Sequence, residues 1–233
     1  LELTDTGLEL YPHARAMADA AASLALAAEG RTDRLEGPVR ITASQIVATY
    51  ALPAILSRFR MQEPGIDIEI VASDATDNLL FREADIAIRM FRPTQGDLIA
   101  KQVDEFAMGL FGHRTYLSQH GEPQSFDDLF DHDVIGYDRS TLMIDRARDL
   151  GYDLTRNFFA FRCDDQSVCW QLLKSGTAVG FAPYWLAREE PDLVPLLDGA
   201  TFASLPVWLV SHKELRMSGR VRRVFDFLAG EMK

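Results

Sequence analysis

GPVRITASQIVATYALPAILSRFRMQEPGIDIEI, residues 37–70, carries the pattern on which the reading of the fold turns. Val39, Ile41 and Ala43 alternate with Arg40 and Thr42, the period of two that a strand requires, and the alternation stops at Ser44 and Gln45. From about Ala48 to Gln62 the period changes: Leu52, Ile55, Leu56 and Phe59 share one helical face, and Pro64-Gly65 ends the helix. Ile66 to Val71 then alternates again. Strand, helix and strand in this order make a βαβ unit, which predicts a parallel sheet.

The rhythm continues toward the C-terminus. Leu79 to Glu83 reads as a short helical piece, and Ala84 to Met90 (ADIAIRM) is the near-continuous apolar run of a buried parallel strand. A second round starts near Gly112. Helical patterns at Arg114–His120, Phe126–Phe130, Leu142–Leu150, Val168–Lys174 and Tyr184–Arg188 are interleaved with strand patterns at Val134–Tyr137, Phe158–Arg162 and Ala178–Ala182. Leu205 to Ser211 reads as a further strand, and Gly219 to Met232 as a closing helix with Val221, Val224, Phe225 and Leu228 on its apolar face. Two α/β lobes of similar size account for this order, without internal repeat or low-complexity segment.

On the N-terminal side, Thr4 to Glu29 is alanine-rich and stops at Gly30, which predicts one helix of about seven turns. Leu10, Ala14, Met17, Ala21, Leu24 and Ala28 recur at alternating spacings of four and three, a heptad seam that wants a partner helix. Packing on the helix's own domain is the alternative. Intermolecular pairing is favoured, because small seam residues permit close approach and Arg31 to Glu36 forms a polar linker.

Composition narrows the function classes. The 233 residues are 47% hydrophobic, ample for a buried core, and the formal charge of −11 repels phosphate backbones and anionic headgroups. No apolar stretch reaches the roughly 20 residues of a membrane span, and no secretory leader opens the chain. Cys163 and Cys169 are too few for a disulfide framework or a metal site, which points to a reducing cytoplasm and to inert buried thiols. The five histidines lack the i, i+4 pairing of a helical metal site, so neither metal nor cofactor is expected. Nucleophile-elbow, P-loop and dinucleotide glycine motifs are all missing, so no catalytic residue is assigned. Lys213, Arg216, Arg220, Arg222 and Arg223 read as a solvated helix face or an inter-subunit contact rather than a nucleic-acid surface.

Four segments carry a family resemblance in order and spacing: LTDTGLELYPHARAM (residues 3–17), GPVRITAS leading into YALPAILSRFRMQEPGIDIEI, ADIAIRM, and LLKSGTAVGFAPYWLA (residues 172–187). Together they resemble the linker helix and effector-binding domain of LysR-type transcriptional regulators. The resemblance implies an α/β, two-lobed periplasmic-binding-protein-like (type II) effector domain preceded by a long N-terminal linker helix. Residues 1–37 would be the linker and dimerisation helix with its hinge, 38–110 plus 207–233 lobe I, and 111–206 lobe II. It also implies that the winged helix-turn-helix, and operator recognition with it, lies outside these residues. A homodimer or homotetramer is expected, with no membrane partner. Residues 73–81 are compact and acidic where the family has a longer helix.

Ligand chemistry is expected beyond the carboxyl ends of the strands, where helix N-termini present unpaired N–H groups. Ser44, Gln45 and Ile46 hold that position after the first strand; Ser44 serves there either as a plain N-cap or as a ligand donor, and the resemblance favours the donor. Arg89 ends the buried strand, with a bidentate grip on a carboxylate or an ion pair to Asp85 or Asp104 as its two readings. From the second lobe come Tyr137 and Asp138 after a strand, Gln166 at a helix start next to the capping residue Asp164 or Asp165, and Pro183 and Tyr184 after the next strand, with Phe181 assigned to the core. The resulting expectation is a non-enzymatic domain that senses a small molecule, a carboxylate or aromatic acid by preference, to control transcription. A freestanding periplasmic-type solute-binding protein is the rival, since the same fold serves both.

Overall fold

The computed structural model describes residues 4, 6–7, 10–11, 14, 17, 35–74, 84–93, 98–213 and 218–232. These fall into two compact units: unit 1 comprises residues 1–104 and 206–233, and unit 2 residues 105–205.

In unit 1, β1 (Gly37–Ala43) lies between β2 (Ile66–Ala72) and β3 (Ile86–Arg89), parallel to both. The βαβ reading therefore holds. The helical stretch differs in detail: it starts at Gln45 and divides at Ala51 into α1 (Gln45–Tyr50) and α2 (Leu52–Gln62). Pro53 sits in the first turn of α2; its ring nitrogen has no hydrogen to give the carbonyl of Thr49, so the ladder breaks there. All four residues of β3 are buried, which explains its unbroken apolar character.

The sheet is mixed, a correction to the all-parallel expectation. β3 pairs antiparallel with β9 (Ala203–His212), from Ile86 opposite Ser211 to Arg89 opposite Trp208. The closing helix (Gly219–Glu231) buries Val221, Val224, Phe225 and Leu228, and its Phe227 meets Phe59 of α2 edge-on at 5.0 Å. Two arginines fasten this layer: Arg58 to Glu231 and Arg223 to Glu63, each at 2.6 Å. Arg223 is thus committed to its own unit, and Arg220 likewise donates to the Pro38 carbonyl.

In unit 2, β4 (Leu98–His113), which enters from unit 1, pairs antiparallel with β7 (Gly180–Pro183) and β8 (Leu193–Pro195). Sequence periodicity points to neither β4 nor β8. Lys101, Gln102, Asp104 and Glu105 interrupt the alternation of β4, and β8 has only three residues. A two-stranded parallel pair joins β5 (Ile135–Gly136) and β6 (Phe161–Arg162). Two sequence assignments shrink: Phe126–Phe130 is a 3-10 turn at Asp127–Asp131, and the strand expected at Phe158–Arg162 begins with another at Arg156–Phe158. Helices α3 (Arg114–His120), α4 (Leu142–Asp149), α5 (Gln166–Lys174) and α6 (Tyr184–Ala187) fall within a residue or two of the expected positions. The core gathers Leu110, Tyr116, Leu129, Val134, Phe159, Val179 and Leu196.

At the N-terminus, Leu10, Ala14 and Met17 are helical and exposed, Leu10 by 58% and Met17 by 75%. Ala21, Leu24 and Ala28 of the seam lie outside the described residues, as do residues 75–83, where the sequence predicts the helical piece Leu79–Glu83 and which include most of the acidic segment.

Candidate functional site

Parallel pairing of β1 with β3 brings their carboxyl ends side by side, with Thr42 opposite Ala87 and Ala43 opposite Ile88. At that end Arg89 is 5% exposed and Thr42 fully buried. One terminal nitrogen of Arg89 donates to the Thr42 hydroxyl and the other to the Ile88 carbonyl, both at 3.1 Å. Nε is buried and has no hydrogen-bond partner among the described residues. Burial lowers the Arg89 pKa, and the negative charge of Asp74 opposes that shift. Asp74 is thus an acid whose charge acts on Arg89. Asp85 serves unit 1 differently, accepting from the Arg40 amide at 2.7 Å.

Ser44 immediately precedes α1 without capping it, and its hydroxyl is buried with no partner among the described residues. The amide of Gln45 donates to Asp74 at 3.3 Å, so a carboxylate of the protein already stands at that helix start. Ile46 is buried in the core. Unit 1 thus brings together Thr42, Ser44, Gln45, Asp74 and Arg89. Thr42 and Asp74 escape sequence reasoning: Thr42 sits on the polar side of an alternating strand, and Asp74 arrives only because β2 aligns Ala72 with Ala43.

Unit 2 positions its polar residues as follows. Asp165 caps α5, accepting from the amides of Ser167 at 2.8 Å and Val168 at 3.2 Å. Its neighbour Asp164 accepts from the amides of Asp138, Arg139 and Ser140 at 3.1–3.2 Å and from Arg139 Nε at 3.0 Å. Arg139, and behind it these amides, hold the Asp164 carboxyl below its ordinary range. The Asp138 side chain pairs with Arg156. Gln166 Nε2 donates to the Tyr137 hydroxyl at 3.4 Å, a long bond that joins these two residues at one place. Pro183 is buried opposite Met108, and the Tyr184 hydroxyl donates to the Gly199 carbonyl at 2.5 Å. Cys169 Sγ donates to the Cys163 carbonyl at 3.2 Å, and both thiols are free.

Among the described residues no group of three or more His, Cys, Asp or Glu side chains could hold a metal, and no helix is long and apolar enough to cross a membrane. The unit 1 cluster is suited to taking up an anion: a buried guanidinium with a spare donor, beside a buried hydroxyl.

Comparison with known proteins gives one consistent result. A model of the LysR substrate binding domain matches residues 32–233. The HTH-type transcriptional regulator CrgA of Neisseria meningitidis (serogroup C) is 23% identical over 240 residues, covering 100% of this chain and 79% of that protein. The probable HTH-type transcriptional regulator LtrA of Klebsiella pneumoniae is 22% identical, covering 98% of this chain and 77% of that protein. Among solved structures, full-length AphB, a virulence activator of Vibrio cholerae, superposes with a TM-score of 0.74 at 21% identity, covering 100% of this chain and 81% of that one.

Proposed function

The chain belongs to the LysR substrate-binding domain family, with its type II periplasmic-binding-protein-like α/β fold, and from that premise we propose that its effector is a small carboxylate held by Arg89 and Ser44. The chain is the effector-binding part of a LysR-type transcriptional regulator, in a family of regulators rather than enzymes. A role as a freestanding solute-binding protein is not favoured.

The observation that carries the assignment is the buried, incompletely bonded guanidinium of Arg89. An unmade hydrogen bond on a buried charged group costs roughly 1–3 kcal/mol or more, a cost that an arriving anion removes. The Ser44 hydroxyl supplies a second donor, and Ile46 supplies backbone at the same strand end, the Gln45 amide being held by Asp74.

The regulator works in the cytoplasm as a homodimer or homotetramer, and the exposed Leu10 and Met17 support helix pairing along the N-terminal seam. Operator DNA is contacted by the family's winged helix-turn-helix. Effector binding biases the domain between arrangements, and a coupling of about 1–3 kcal/mol suffices to alter operator affinity 5- to 150-fold.

A thermal-shift screen of small carboxylates, followed by titration calorimetry, tests this reading. Ser44→Ala and Arg89→Ala are expected to weaken the hit without unfolding the chain. Titration curves unchanged in both variants would overturn it.

A further inference from the structure

Unit 2 contains an apolar cavity that the Arg89 assignment does not use. Its enclosed space comes to about 130 Å³ behind an open mouth. Helix α4, through Met143 and Ala147, and Leu150 just after it form one wall, and phenylalanines from four further segments, among them Phe126 and Phe181, form much of the rest. The space exists because of what the sequence puts on the inner face of α4. Met143 and Ile144 pack on the core, whereas Ala147, one turn later and 5% exposed, has no side chain long enough to meet the aromatic residues opposite.

Only two lining residues carry polar side-chain groups, Tyr137 and Arg146. Arg146 is exposed, and among the described residues it has no acidic partner, whereas Arg148 on the same helix pairs with Asp145 at 3.0 Å. Two leucines of the lining, Leu142 and Leu150, remain 52% and 60% exposed. An apolar interior, leucines left open to water and one unpaired cation together describe a complement to an amphiphilic anion.

We propose that this cavity is a second ligand site, specific for a medium-chain carboxylate whose acyl chain lies among the phenylalanines and whose head group pairs with Arg146. Apolar surface gains from receiving a chain, and the exposed guanidinium sets which end stays outside. The site is distinct in residues and in preference from the Arg89 cluster, which has buried polar groups and takes a small anion.

The test is titration calorimetry of the 233-residue chain with decanoate and with decanol, which shares the chain but lacks the charge. Saturable, one-to-one binding of decanoate is expected. Arg146→Gln should weaken decanoate by about tenfold and change decanol by less than about twofold. Ala147→Phe should abolish both by filling the space; should that variant fail to fold, the Arg146→Gln comparison decides alone. Arg89→Ala should leave decanoate binding intact, and loss of binding there would transfer decanoate to the Arg89 site and overturn the proposal. So would an unchanged decanoate-to-decanol ratio in Arg146→Gln, many-to-one uptake, or no uptake with self-association of the chain, which would mean that a second copy covers the cavity.

Discussion

The guanidinium of Arg89 donates to the hydroxyl of Thr42 across the parallel β1–β3 boundary at 3.1 Å, and both side chains are buried. A buried arginine that leaves Nε unpartnered is either a structural clamp or a ligand donor waiting for its acceptor, and the two roles respond differently to substitution.

Arg89→Met separates them. Methionine fills similar volume without the charge, so the free protein is expected to stay within about 1 kcal/mol of the parent in urea unfolding. Stabilisation by a bound carboxylate, about 2.7 kcal/mol at one hundred times Kd in the parent, should vanish. A loss above about 3 kcal/mol with ligand stabilisation retained would make Arg89 a clamp instead.

Asp164 gathers the turn after β5 onto one carboxylate, and Asp164→Ala is expected to release it. Amide exchange at Asp138, Arg139 and Ser140 should accelerate in the variant while the α5 amides stay protected. The same bonds set a pH dependence. The folded carboxyl is held below its ordinary value, chiefly by Arg139, so its contribution is fully present above the ordinary carboxylate pKa and is lost as pH falls through the depressed one. Protection of these three amides should therefore persist through mildly acidic pH and fail only below the usual carboxylate range. Equal protection in parent and variant would refute the anchoring role.

How much of this was written in the chain depends on how far apart the interacting residues are. Local period sufficed for β1, β3 and the closing helix, because each buries one face or both, and for β2 as well, although only Ile66 of that strand is buried and Ile70 is 47% exposed. It failed for β4, whose middle carries Lys101, Asp104 and Glu105 and is only partly buried, so no face declares itself. In the candidate site Arg89 was legible from its place at the end of an apolar strand. Thr42 and Asp164 were not, since their partners lie 47 and 24–26 residues away and meet them only through strand pairing. The Arg146 cavity is invisible to pattern reading, because a void is defined by side chains from many segments.

Gly109 on β4 faces the Tyr184 ring, and a Cβ there would come within 2.7 Å of it. The ring has little room to yield: it meets Phe111 edge-on at 5.1 Å, and its hydroxyl holds Gly199, which follows Leu197 and Asp198, both with φ of 55°. Gly109→Ala is expected to destabilise by about 1–3 kcal/mol, and to cost much less in a Tyr184→Ala background. Additive effects in the double variant would show that the contact is not the cause.

Cys169 offers the most direct check of local burial. Desolvation, with the nearby Cys163 and Asp165 adding to it, pushes the thiol pKa up to about 12, so the thiolate that reacts with alkylating agents is scarce at neutral pH. In a Cys163→Ser background, iodoacetamide at pH 8 should modify Cys169 at least ~100-fold more slowly in the folded protein than in urea. The raised pKa also has a signed effect on folding. The unfolded thiol ionises near 9 and the folded one near 12, so the stabilising contribution is complete below about 9 and lost as pH rises toward 12. Cys169→Ala should flatten that alkaline decline, although it also removes the bond to the Cys163 carbonyl. Rapid alkylation of the folded chain would mean that α5 opens at its first turn, and the cap by Asp165 would then be too weak to hold it.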